Sequence, residues 1–310
     1  MNNVFDGSSK ETLRNTIEQW VRSVSMEKLV WEHSGKAYDI RKEKIEGLLE
    51  SLYNYASKYW DYRKGAERWN VENDNRLKGL VQYISKLGLI DITTPRFKKY
   101  DYILILGGAR MANYHRCMAA KHCISNFSGN PCAVVAISGN RSINQEVERS
   151  SLKLYCPSAK TEFDAICGGL EKTFQLDTFE ERIRENENKN LSSYFRQYRE
   201  MYEGIPIFSI AGASSNASRR ANTIDGVKFF FREFSVKPKS KILMISSSIY
   251  TTYQLLSVAL SLREKDVVFD CIGSEMVIDL KKQDSLNIPQ YLQEIKATVD
   301  QIFKFKDVIW

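Results

Sequence analysis

The chain has 310 residues, of which 43% are apolar and 27% charged, ordinary globular material for one large domain or two smaller ones. Its net charge is +7 and its pI about 8.9, which suits anionic ligands, but no Lys/Arg run marks a nucleic-acid arm, so nucleic acid is not an expected partner. No stretch of about 18 apolar residues exists, and "MNNVFDGSSKETLRN" lacks the apolar segment of a signal peptide, so the chain reads as cytoplasmic with no membrane contact.

Residues 1–98 read as a helical region. "SSKETLRNTIEQWVRSV" opens with an N-cap signature and then repeats apolar positions at helical spacing. "KEKIEGLLESLYNYASKYWDYRKG" does the same, with Ile45, Leu48, Leu49, Leu52, Tyr55 and Tyr59 close to one stripe. "ENDNRLKGLVQYISKLGLID" gives a further helix ended by Gly88. The many Trp and Tyr residues here are read as packing core ahead of a ligand-stacking platform. "DITTPRFKKY" is a polar linker with a proline stop.

From residue 99 to 310 the period changes. Apolar runs "YILIL" (102–106), "CAVVAI" (132–137), "IPIFSI" (205–210), "KILMIS" (241–246) and "DVVFDC" (266–271) alternate with helical stretches at 110–126, 161–175, 217–234 and 250–263. This predicts a Rossmann-like, doubly wound α/β domain with a mostly parallel sheet covered on both faces. The charged segment 177–204 reads as a helical insertion, open as a lid, a docking surface or a solvated helix pair. "IPQYLQEIKATVDQIFKF" is an amphipathic closing helix.

The six cysteines form no C-x-x-C pair, and His33, His115 and His122 have no partner at zinc-ligand spacing, so no metal is expected. Free thiols suit a reducing compartment.

In a doubly wound sheet the ligand crevice lies beyond the carboxyl ends of the strands. The first strand exits into Gly107, Gly108, Ala109 and Arg110, where glycines permit either a tight turn or close approach of an anion to backbone N–H groups. The second exits into Ser138, Gly139, Asn140 and Arg141. Thr161 and Asp164 form a capping-box pattern with Glu162 in the first turn. Glu162 is either a favourable helix-terminus charge or a carboxylate facing the crevice. Next come Ser214 and Asn216, donors and acceptors before a helix, and Arg219 and Arg220 in its opening turns, where arginine opposes the macrodipole and makes more sense with an anion beside it. The last exit carries Ser247 and Tyr250. These residues are the candidate ligand-binding set, and Glu162 is the candidate catalytic carboxylate.

The signatures resemble the YdcF-like family (YdcF, SanA and ElyC). The likeness covers about residues 100–275: LGG at 106–108, SG at 138–139, the Thr161-Glu162 helix start, Ser214 to Asn216 with Ala221 beyond, and the strand-then-Ser exit at 241–248. It implies a Rossmann-like fold with a site lined by Gly107, Gly108, Ser138, Gly139, Glu162, Ser214, Asn216 and Ser247. It also implies S-adenosylmethionine as the first ligand to consider, and a link to cell-envelope biology among anchored relatives. Two departures stand out. Arg219-Arg220 replace the family's Glu-Asn, and Tyr250 and Tyr253 stand in place of a His and an Arg, which removes the best general acid/base.

The expected function is a cytoplasmic protein that binds S-adenosylmethionine, another nucleotide or a different small anion at the strand ends. Whether it is an enzyme stays open. The alternatives are a non-catalytic interaction protein that meets a protein partner through the N-terminal helices, and a cell-envelope precursor enzyme.

Overall fold

The computed structural model describes residues 3–36, 38, 44–64, 71–277 and 286–310. The strands are β1 (Tyr102–Leu106), β2 (Ala133–Ser138), β3 (Phe179–Arg184), β4 (Ser193–Tyr202), β5 (Ile205–Ala211), β6 (Ser240–Ser246) and β7 (Val267–Gly273). They form one sheet in the order β3-β4-β5-β2-β1-β6-β7. From β5 to β7 neighbouring strands are parallel, and β3 and β4 extend that edge antiparallel. The chain therefore steps outward from β1 to β2 to β5, then crosses to β6 and β7. The direction reverses between β1 and β6, which is where such sheets open a crevice.

The α-helices of six residues or more are α1 (Lys10–Val21), α2 (Val24–Ser34), α3 (Ile45–Tyr59), α4 (Val81–Lys86), α5 (Ala112–Asn126), α6 (Gln145–Leu152), α7 (Glu162–Phe174), α8 (Thr223–Glu233), α9 (Ser248–Ser261) and α10 (Ile288–Lys304). β1 and β2 are buried at every position, as strands covered on both faces must be. On one face Ile103, Ile105, Val134 and Leu243 pack against α5 and α7 through Ala120, Ile124, Ile166 and Leu170. On the other face Leu104, Val135 and Met244 pack against α8 and α9. That second core continues without a break into α10 and the N-terminal helices, through Leu292, Leu49, Leu29 and Ile17. The helical region and the sheet thus share one core. Trp20, Tyr38, Tyr55 and Trp60 are buried in it.

A polar clasp fastens the N-terminus to the far edge of the sheet. The Gly7 backbone bridges to Phe269 on β7, and a Cβ at Gly7 would lie 2.6 Å from the Phe269 carbonyl oxygen. Arg96 donates to the carbonyls of Asn3 and Phe5 at 2.7 and 2.6 Å and pairs with Asp6 at 2.9 Å. Fully buried Asp270 accepts from the Arg96 backbone N–H at 2.9 Å and from the Tyr100 hydroxyl.

Three sequence expectations need correction. Residues 177–204 hold the hairpin β3–β4 and not a helical insertion. Tyr194, Tyr198 and Tyr202 recur every four residues, a spacing shared by one helix face and one strand face. The loop between β2 and α7 contains α6, whose Asn144 side chain caps the N–H groups of Glu146 and Val147. Few apolar residues in "QEVERSSL" advertise it. Finally, α8 begins at Thr223 and not near 217, because Asn222 and Asp225 form its capping box. Arg219 and Arg220 therefore precede the helix.

Candidate functional site

A cavity of about 670 Å³ opens at the carboxyl ends of β1, β2 and β6, at the switch point. Gly107, Gly108, Arg110, Ser138, Gly139, Arg141, Glu162, Arg220, Ser247 and Tyr250 line it.

The floor is built around the Gly-Gly turn. The Gly107 N–H donates to the Ile137 carbonyl at 2.6 Å, extending the β1–β2 ladder by one residue. A Cβ at Gly107 would come within 2.9 Å of the Ser138 Cβ, so the close passage of the two strand exits requires glycine. The Gly108 N–H donates to Asn113 Oδ1 at 2.8 Å, from the first turn of α5. Arg116, one turn further on and buried, donates to the carbonyls of Leu106 and Gly107, both at 2.6 Å, and to Ser247 Oγ at 3.1 Å.

The β2 side is basic. Arg141 makes a two-pronged pair with Glu148, at 2.6 and 2.9 Å, and lies 3.6 Å from Glu162. Burial alone would raise the Glu148 carboxyl. Arg141 and the N–H groups of Asn144 and Arg110 outweigh it and hold the group below its ordinary value. Glu162 is different. Its side chain is 16% exposed, and burial raises its carboxyl against the pull of Arg141, Arg220 and Arg116, with Glu148 adding to the rise. Arg110 takes a left-handed backbone (φ 54°), uncommon for a residue other than Gly, Asn or Asp. Its carbonyl accepts from the Tyr155 hydroxyl at 2.7 Å, which fixes the loop in that shape.

Four residues of the sequence-derived set lie outside the lining: Asn140, Ser214, Asn216 and Arg219. The last three are used up in their own loop. Ser214 Oγ donates to the Asn216 carbonyl at 2.8 Å, and Asn216 Oδ1 accepts from the Ser218 N–H at 2.9 Å. Arg219 donates to Asp225 at 2.6 Å and to Ser215 Oγ at 2.8 Å. This stretch is a loop staple and helix cap.

Beside Tyr250, which belongs to the sequence-derived set, the opposite wall carries residues outside that set. α9 presents Tyr253, Gln254 and Ser257, α10 and its N-cap present Gln290 and Asn287, and the N-terminal region presents Arg63 and Val71. One signal was there to be read. Positions 250, 253, 254 and 257 form a polar stripe at helical spacing along this helix. Arg116 and Asn113 gave no such signal, because a polar residue in a helix carries no sign of being turned inward.

Among the described residues no group of three or more His, Cys, Asp or Glu side chains is placed to hold a metal ion. No helix among them is long and apolar enough to cross a membrane.

Comparison with known proteins corrects the family expectation. Residues 5–87 match the family described as Rv3785 N-terminal domain. Over 93% of its length the chain is 21% identical to the uncharacterized protein Rv3785 of Mycobacterium tuberculosis (strain ATCC 25618 / H37Rv), spanning 88% of that protein. The same figures hold for the uncharacterized protein Mb3814 of Mycobacterium bovis. No solved structure matches. The likeness to YdcF-like proteins is therefore not upheld. Its elements are short, and Gly-Gly, Ser-Gly and Ser-x-Asn serve wherever parallel strands turn into helices. The Ser214–Asn216 element, moreover, is not part of the cavity.

Proposed function

We propose that this protein binds a small phosphoester in the switch-point cavity, with the phosphate beside the Gly107–Gly108 turn. The observation that carries this reading is the basic lining of the cavity, to which Arg110, Arg116, Arg141 and Arg220 all contribute, three of them acting on the single carboxyl of Glu162. Guanidinium groups match phosphate oxygens bidentately, and backbone N–H groups at a glycine turn complement them. Ser138 Oγ adds a donor. Its residue is 8% exposed, it lines the same cavity, and the hydroxyl has no hydrogen-bond partner among the described residues. A nucleotide or sugar phosphate fits this electrostatic setting better than S-adenosylmethionine, whose sulfonium would bring positive charge among arginines.

Glu162 is the one carboxyl on the described lining. Raised by burial, its carboxyl keeps a proton to higher pH than an ordinary glutamate, and in that form it can donate a hydrogen bond to a phosphate oxygen or a hydroxyl. A reaction at this site would use it as the acid or base.

Calorimetry and thermal shift with pyrophosphate, ADP and S-adenosylmethionine test the reading. At a hundred times its dissociation constant a true ligand stabilises the fold by about 2.7 kcal/mol. Pyrophosphate and ADP should bind, and Arg220→Ala should weaken both about tenfold or more. Binding of S-adenosylmethionine alone, or unchanged affinity in Arg220→Ala, would sink the assignment.

A further inference from the structure

We infer that the cavity contains a second, carboxylate-free subsite, built jointly by α9, α10 and the N-terminal helical region, that takes the hydroxyl-bearing organic part of the phosphoester: a sugar or ribose ring. This rests on the phosphoester reading above and specifies the class of ligand.

The wall formed by α9, α10 and the N-terminal region has a different chemistry from the strand-end side that carries Arg110, Arg116, Arg141 and Arg220. Gln254, Ser257, Gln290 and Asn287 offer amides and a hydroxyl, and no carboxylate lies among them. Gln254 is 9% exposed and Ser257 is 3% exposed, yet Gln254 Oε1 and Ser257 Oγ have no hydrogen-bond partner among the described residues. Arg63 Nε, on the same wall, is likewise buried and without a partner among the described residues. Buried polar atoms are nearly always satisfied, and three orphans converging on one cavity wall point to a ligand that satisfies them. An acceptor, a hydroxyl and an N–H donor together match sugar hydroxyls, each of which donates and accepts.

The wall is held in place. The Arg63 backbone N–H donates to Gln293 Oε1 of α10 at 3.0 Å, and Asn287 Nδ2 donates to the Val71 carbonyl at 2.6 Å. These bonds pin the N-terminal region to α10 on either side of the subsite. The region that matches the Rv3785 N-terminal domain family, residues 5–87, thus contributes Arg63 and Val71 to the site as well as packing to the core.

The test is calorimetry on the full chain with pyrophosphate, ADP and UDP-glucose, for the wild type and for Gln254→Leu and Ser257→Ala. ADP or UDP-glucose should bind at least tenfold more tightly than pyrophosphate. Each variant should lose most of that gain, keep its pyrophosphate affinity within about twofold, and melt at or above the wild-type temperature, since an orphaned buried polar atom has been removed. Pyrophosphate binding as tight as that of both organic phosphates overturns the inference and leaves the phosphate site standing. A gain that survives both substitutions also overturns it. Failure of all three probes to bind overturns the phosphoester reading and this inference with it.

Discussion

The Arg116 guanidinium on α5 reaches Ser247 Oγ beyond β6 at 3.1 Å, while its other terminal nitrogen holds the carbonyls of Leu106 and Gly107 at the end of β1. One buried side chain thus spans the switch point from both sides. It sets the separation of the two strand exits that frame the cavity. Its charge also faces inward, so the same group shapes the floor and contributes to the field above it.

Lysine cannot replace it. An ammonium on a thinner stem reaches one or two of the three acceptors and leaves a buried carbonyl unmet. Arg116→Lys should lower unfolding stability by about 2 kcal/mol, with urea denaturation as the measurement. Ser247→Ala removes a single bond and should cost about 1 kcal/mol. A lysine variant as stable as the wild type would mean that the span is not needed.

Arg110 separates stability from binding. Its left-handed backbone is disfavoured for arginine by about 1–2 kcal/mol, while Asn tolerates it. Arg110→Asn should therefore leave stability unchanged or raise it by up to about 1 kcal/mol in chemical denaturation. The same variant removes a cation from the cavity rim and should weaken pyrophosphate several-fold by calorimetry. A fall in stability would show that the Arg110 side chain, and not its backbone, holds this loop.

Glu162 gives the cavity a pH dependence. Its carboxyl is raised by burial above the ordinary 4.5, so in the folded protein it keeps its proton to higher pH than in the unfolded chain. Its contribution to stability is complete below about 4.5 and is lost as pH rises through the folded value. Glu148 works in the opposite sense. It is held low, so its contribution is lost as pH falls. Glu162→Gln removes only the first effect. Stability curves of the variant and the wild type should diverge above pH 4.5, with the variant the more stable. Pyrophosphate affinity should become flatter with pH, because a neutral amide no longer ionises against the anion. Parallel curves would mean that Glu162 titrates as it does in the unfolded chain.

The five parallel strands were legible because each is an apolar run bounded by turn residues, and the crevice followed from their order. Most strand-end residues chosen on that basis do line the cavity. The Ser214–Arg219 loop misled because the same Ser, Asn and Arg chemistry that binds anions also staples loops and caps helices. Only the placement of Asp225 and Ser215 distinguishes the two uses. Arg63, Asn287 and Gln290 were beyond reach, since they come from segments far apart in the chain that tertiary packing alone brings to one wall. The edge hairpin was misread for a third reason. Spacing of four fits both periodicities, and the decisive information was in the turn that follows.

That turn supplies the last prediction. Glu203 and Gly204 both have positive φ, 51° and 77°, which is the two-residue turn that lets β4 return antiparallel as β5. Asn-Gly is the best sequence for it. Glu203→Asn should stabilise the protein by about 0.5–1 kcal/mol. Gly204→Ala meets no atom within 4 Å, so any cost comes from the backbone alone and should be about 1 kcal/mol in the other direction. The opposite signs are diagnostic. If this segment were helical, alanine would favour it and asparagine would weaken it. Urea denaturation of the two variants side by side distinguishes the turn from a helix, and a stabilising Gly204→Ala would overturn the hairpin.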